Sequence, residues 1–233
     1  MASAFPDPPF DDAGRPPSGL DIDLMRAVAR HLGREYAPHR YTGDDFEGIY
    51  DGLAAGDYDV VTSGATITPP RAKRAHFCAP YLRSGQSLVV NHERTPAITS
   101  IDDLRDAVVG VQRGNTSEPV ADQLLADGRV RDVQHYDYDR IAAALDDLEA
   151  GRIQAFMKLE PVMRELTRGR SALRVVQTGI TDERIASAVR LDDAGLADAI
   201  DAAQRALAAD GTLAALGRRW LADSDPRATK MIV

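Results

Sequence analysis

The sequence predicts an α/β protein in two lobes, and three observations carry that reading. Helical and strand-like stretches alternate along almost the whole chain. The 233 residues exceed the usual size of a single domain, about 100–150 residues. The alternation also falls into two series, the second inserted between parts of the first.

The first series opens with "LDIDLMRAVARHLG", residues 20–33, with apolar Leu24, Val28, Ala29 and Leu32 at helical spacing and Gly33 as its stop. "REYAPHRY" reads as a strand, and "DDFEGIYDGLAAG" repeats the helix-then-glycine pattern. "YDVVTSG", residues 58–64, is a strand running into a loop of small residues. The second series starts with a strand at 107–111 and a loop at 114–117. A helix follows in "EPVADQLLADG", with Pro119 in its first turn. "VRDVQHYD" and "IQAFMK" are strands, while "DRIAAALDDLEAG" and "PVMRELTRG" are helices. "ERIASAVRL" is strand-like again, and "AGLADAIDAAQRALAADG" and "TLAALGRRWLA" close the chain as helices. Lobe 1 is expected to comprise residues 1–88 and 190–233, and lobe 2 residues 89–189. The crossovers fall at 87–91 and 187–191, and paired crossover strands make a hinge.

Composition narrows the function. Hydrophobic residues make up 44% of the chain, enough for two cores, and the net charge is −8. That balance argues against nucleic acid, which calls for clustered Lys and Arg. Cys78 is the only cysteine, so no intrachain disulfide can form, and it reads as a buried small residue. No apolar run approaches the ~20 residues that span a bilayer. "MASAFPDPPF" lacks the basic and apolar regions of a signal peptide, which implies a cytoplasmic chain or a missing leader.

The most specific stretch is "GATITPPRAKRAHFCAPY", residues 64–81. It resembles the amino-acid-type solute-binding proteins (family 3) of bacterial ABC transporters. Four further blocks fit the same family in order: "PPF", "GLDIDLMRAVARHLG", "LRDAVVGVQRGNT" and "ADGTLAALGRRWL". The resemblance covers nearly the whole chain. It implies a two-lobed periplasmic-binding-protein-like type II fold with a hinge of two crossover strands. It also implies a monomer outside the cytoplasm that closes on a small carboxylate or amino-acid ligand and serves an ABC permease, with no cofactor, metal or catalytic residue.

Arg71 follows a strand and a threonine-rich turn, where an α/β sheet presents its carboxyl edge. A guanidinium fork suits a carboxylate, and the resemblance gives Arg71 the ligand's α-carboxylate. Gly64 and Thr66 resemble the ligand-contacting loop of the same lobe; a self-satisfied turn is the plainer alternative. Asn115 and Thr116 lie between a strand and a helix, where amide groups favour an anion or simply cap the helix. Phe46 aligns with the apolar wall of the site, or belongs to the core. Asp7 stands where many relatives carry an aromatic, and reaches a cationic group or solvent.

The pattern breaks at "QAFMKLEP", residues 154–161. Relatives that hold an α-ammonium carry an aspartate where this chain has Leu159. Either Glu160 replaces it or the ligand lacks an ammonium, since a bare ammonium in a dry site is costly. Lys158 hints at a second anionic group; an exposed strand-end lysine is the alternative. A sensor domain and a dehydratase of the cyclohexadienyl type are the competing functions, the latter with Glu160 as its acid. His31, His39, His76, His92 and His135 are scattered without ligand spacing.

The chain ends in "RATKMIV", an apolar, β-prone run. Read into "ASAFPDPPF", it reproduces the opening of the family. This predicts a circular permutant, in which residues 229–233 form the central strand of lobe 1, parallel to the strand of Val60 and Val61.

Overall fold

A computed structural model describes residues 1–6 and 17–232. The chain begins with β1 (Ala2–Pro6), α1 (Leu20–His31), β2 (Ala37–Tyr41), α2 (Ile49–Ala55), β3 (Val60–Val61), α3 (Pro69–Ala72), β4 (His76–Phe77) and β5 (Leu82–Ser84). It continues with β6 (Gln86–Asn91), β7 (Val108–Gln112), α4 (Ser117–Ala126), β8 (Asp132–Tyr136), α5 (Ile141–Ala150), β9 (Ala155–Leu159), α6 (Glu160–Thr167) and β10 (Leu173–Gln177). It closes with β11 (Glu183–Ile185), β12 (Ala188–Val189), α7 (Ala194–Ala209), α8 (Thr212–Trp220) and β13 (Lys230–Met231). Two compact units result. Unit 1 comprises residues 1–42, 48–83 and 183–233, and unit 2 comprises 43–47 and 84–182.

Unit 1 holds a five-stranded sheet in the order β2-β1-β3-β12-β4. β1 is parallel to β2 and to β3, with Ser3 opposite Val60 and Ala4 opposite Val61. The Asp59 carboxylate accepts the Ala2 N–H at 2.8 Å, and the Ala2 carbonyl accepts the Asp59 N–H at 2.9 Å. α1 buries Leu24, Met25, Val28 and Ala29 completely, which is the apolar face its spacing predicts. Gly33 follows it with φ +65, the left-handed residue that ends a helix.

The permuted arrangement is therefore not what the chain adopts. The central position beside Val60 and Val61 belongs to β1, and the C-terminal β13 pairs antiparallel with β5. β11, β5 and β13 form a separate three-stranded sheet. The physical reason lies in composition. "ASAFP" is poor in β-branched residues, so it does not read as a strand, but a position flanked on both sides bonds its whole backbone. The richer "KMI" is an edge, with Met231 only half-buried.

Unit 2 holds the sheet β10-β6-β9-β7-β8. β9, β7 and β8 are parallel, and β6 is antiparallel to β10 and β9. Leu88, Val109, Val111 and Met157 pack on one face with Ala121 and Leu124 of α4. Val89, Phe156, Leu145, Leu148 and Met163 pack on the other. The expected crossover stretches 87–91 and 187–191 do not pair, because each is taken up by the sheet of its own unit. The chain passes between the units at 42/43, 47/48, 83/84 and 182/183, the last two at β5 and β11, which are neighbours in the three-stranded sheet.

Candidate functional site

The candidate residues of unit 1 gather after the carboxyl end of β3. Gly64 adopts φ +61, and its N–H donates to the Asp21 carboxylate at 2.6 Å. The Tyr81 hydroxyl donates to the other Asp21 oxygen, also at 2.6 Å. Burial raises the Asp21 carboxyl above its ordinary value, and these two hydrogen bonds oppose the rise. Thr66 bridges Ile185 through its backbone and donates its hydroxyl to the Glu183 carboxylate. Thr68 caps α3, accepting the Arg71 N–H, with Pro69 and Pro70 in the first turn.

That short helix fixes Arg71. Its side chain is only 3% exposed, its Nη1 donates to the Thr66 carbonyl at 3.1 Å, and its guanidinium lies 5.8 Å from the Tyr50 ring centroid. Arg74, three residues on, differs. It is partly exposed and pairs with Asp51 at 2.7 Å.

In unit 2 the candidates lie at the carboxyl ends of β7 and β9. Lys158 is buried, which removes the reading of an exposed strand-end lysine. Its ammonium donates to Gln112 Oε1 and stands 5.6 Å from the Tyr138 ring centroid. Gln112 in turn donates Nε2 to the Tyr138 carbonyl at 2.6 Å. Burial pushes the Lys158 ammonium down to about 7. Phe46 falls in unit 2, not with lobe 1, and its ring centroid lies 5.4 Å from that of Tyr138. Gly114 permits this arrangement. It has φ +74, and a Cβ there would come within 2.1 Å of Asp45 Oδ1 and 2.9 Å of the Phe46 nitrogen.

Thr116 stands at the N-cap position of α4 without a side-chain capping bond, and instead accepts Gln86 Nε2 at 2.9 Å. The buried Asn115 Nδ2 and Ser117 Oγ have no hydrogen-bond partner. Glu160 is fully buried and ion-paired with Arg164 one turn along α6. Leu159 is buried at the start of that helix. Asp7 lies outside the described residues.

The structure thus groups Gly64, Thr66 and Arg71 in unit 1, and Phe46, Asn115, Thr116 and Lys158 in unit 2. Sequence reasoning missed Asp21, Tyr50, Glu183, Gln112 and Tyr138. Glu183 opens the stretch read only as a strand, 117 residues from Thr66, so no local spacing links them.

Comparisons with known proteins place the chain among amino-acid-binding proteins. The chain is 28% identical over 220 residues to the ABC transporter arginine-binding protein 1 of Escherichia coli strain K12, covering 91% of this chain and 86% of that protein. An ancestral arginine-binding protein, solved with arginine bound, superposes with a TM-score of 0.84 at 31% identity, covering 94% of this chain and 97% of that one. An ancestral amino-acid-binding protein described as a precursor of cyclohexadienyl dehydratase gives 0.81 at 30% identity, covering 94% of each chain. Residues 1–223 match the bacterial extracellular solute-binding proteins, family 3, and the chain belongs to that family.

Proposed function

We propose that this protein binds a small carboxylate-bearing solute, a polar amino acid or related organic acid, without turning it over. We further propose that it delivers the solute to an ABC permease outside the cytoplasm. Family membership makes it a solute-binding protein. The observation that carries the ligand class is Arg71, a buried guanidinium held in place by α3 beside the Gly64–Thr66 loop. Such a fork recognises a carboxylate through two parallel hydrogen bonds.

Unit 2 supports an acidic solute over a cationic one. Lys158 and the Asn115 Nδ2 are donors there, and the neighbouring Ser117 hydroxyl is able to donate. The position where an ammonium would need an acceptor carries Leu159, and the neighbouring Glu160 is engaged by Arg164. A thermal-shift screen across arginine, glutamine, glutamate, 2-oxoglutarate and succinate tests this. A ligand at 100 times its Kd adds about 2.7 kcal/mol of stability. Acidic members are expected to raise the melting temperature most; a shift from arginine alone contradicts the acidic reading.

The pH dependence follows from Lys158. An anion bound beside it favours the charged ammonium, so binding takes up a proton above pH 7 or so. Affinity for an acid is expected to be level below about pH 7 and to fall by up to about tenfold per pH unit above it. Calorimetry in buffers of different ionisation enthalpy checks the proton uptake, and Lys158→Met should remove it. Affinity that does not change with pH contradicts the role. The same group acts on stability in a fixed direction. Its folded value of about 7 lies below the ordinary 10.5, so between these the unfolded chain binds more protons and stability rises with pH.

The dehydratase precursor among the neighbours favours one second reading, an enzyme. Glu160, the acid this would use, is buried against Arg164. Prephenate turnover by the purified chain would support that reading instead.

A further inference from the structure

We propose that Glu118, Asp122 and His135 form a binding site for a divalent transition-metal ion of the zinc type. The inference does not depend on the assignment of the solute-binding groups, although Glu118 follows the loop of Asn115 and Thr116. Glu118 and Asp122 are one turn apart on α4, so their carboxylates share a face. His135 lies on β8, which runs parallel to β7 with Val111 opposite His135, and α4 follows β7 directly. The fold therefore brings together residues 13 and 17 positions apart, a spacing that gives no motif in the sequence.

The geometry fits a coordination shell. His135 Nε2 lies 3.1 Å from Asp122 Oδ1 and 3.6 Å from Glu118 Oε1, and the three ligand atoms lie within 4.8 Å of one another. Zinc bonds of about 2.0–2.2 Å place tetrahedral ligand atoms about 3.3–3.6 Å apart. Asp122 is exposed, so a rotation of its side chain can close the longer separation. Glu118 is anchored for the task. Its Oε2 accepts the Gly114 N–H at 2.8 Å, which leaves Oε1 facing the imidazole. Ligating carboxylates are commonly fixed by such outer hydrogen bonds.

Charge points the same way. Like charges one turn apart on a helix repel, and among the described residues no Lys or Arg pairs with Glu118 or Asp122; the imidazole is their shared side-chain partner. A metal ion would neutralise both. One nitrogen and two oxygens suit zinc and its neighbours, whereas calcium and magnesium take oxygen ligands alone and copper(I) takes sulfur. Three protein ligands leave room for water in the shell.

The test is a titration of the metal-free full chain with zinc chloride against a chromogenic zinc chelator. One equivalent of zinc per chain is expected to bind. His135→Ala and Asp122→Asn should each weaken it at least tenfold, with unchanged circular dichroism, and His76→Gln should not weaken it. Cobalt(II) should give a ligand-field absorption band that His135→Ala removes. Absence of stoichiometric zinc binding overturns the proposal. So does equal affinity in the two site variants, or a loss in His76→Gln as large as in His135→Ala.

Discussion

Arg71→Ala is expected to weaken solute binding by about 30- to 5,000-fold, the equivalent of roughly 2–5 kcal/mol for removing one partner of a desolvated, charge-assisted pair. Two features of the structure set this size. Arg71 is 3% exposed, so water cannot easily take over its role. α3, capped by Thr68, holds its backbone, so the guanidinium is placed before any solute arrives. The same substitution should also lower stability, because the Thr66 carbonyl loses its Nη1 donor, a cost of about 1–3 kcal/mol. Binding and folding are therefore measured separately, by calorimetry and by thermal melting. Arg71→Lys should recover part of the stability but little of the affinity, since an ammonium cannot offer two parallel donors. Arg74→Ala is the matched control. It removes a partly exposed pair with Asp51, worth about 0–1 kcal/mol, and should leave binding unchanged.

Deleting residues 1–6 is expected to unfold unit 1. β1 is hydrogen-bonded on both sides, to β2 and to β3, and its loss would open two rows of backbone donors and acceptors in the middle of a sheet. Deleting residues 229–233 should instead lower the melting temperature by several degrees and leave a folded protein, because β13 pairs on one side, with β5. Circular dichroism of the two truncations decides the order. A folded protein without residues 1–6, or an unfolded one without 229–233, would contradict the topology.

These truncations also mark where the sequence was misleading. The helices were legible because their apolar positions repeat at the helical period and end in glycine, as at Gly33 and Gly151. The parallel strands of unit 2 were legible as apolar runs. β1 was not, because its position in the sheet is set by pairing with distant residues and not by its own propensity. "KMIV" drew attention through its apolar composition and through the family-like opening it forms when read into "ASAFPDPPF". Arg71, Gly64 and Thr66 were legible because they stand within one short motif. Their supports, Tyr50, Asp21 and Glu183, come from other segments and leave no local trace. The burial of Lys158 was equally hidden, since it depends on Gln112 and Tyr138. Phe46 was assigned to the wrong unit because residues 43–47 leave their sequence neighbours for a loop at Gly114.

On the function proposed above, this family member captures a carboxylate through Arg71. Titration calorimetry of the wild-type chain and Arg71→Ala with glutamate, 2-oxoglutarate, glutamine and arginine tests it most directly. One-to-one binding of an acidic member to the wild type is expected, weakened at least about 30-fold in Arg71→Ala. Binding of equal affinity to both proteins, or no binding of any of the four by the wild type, would contradict it.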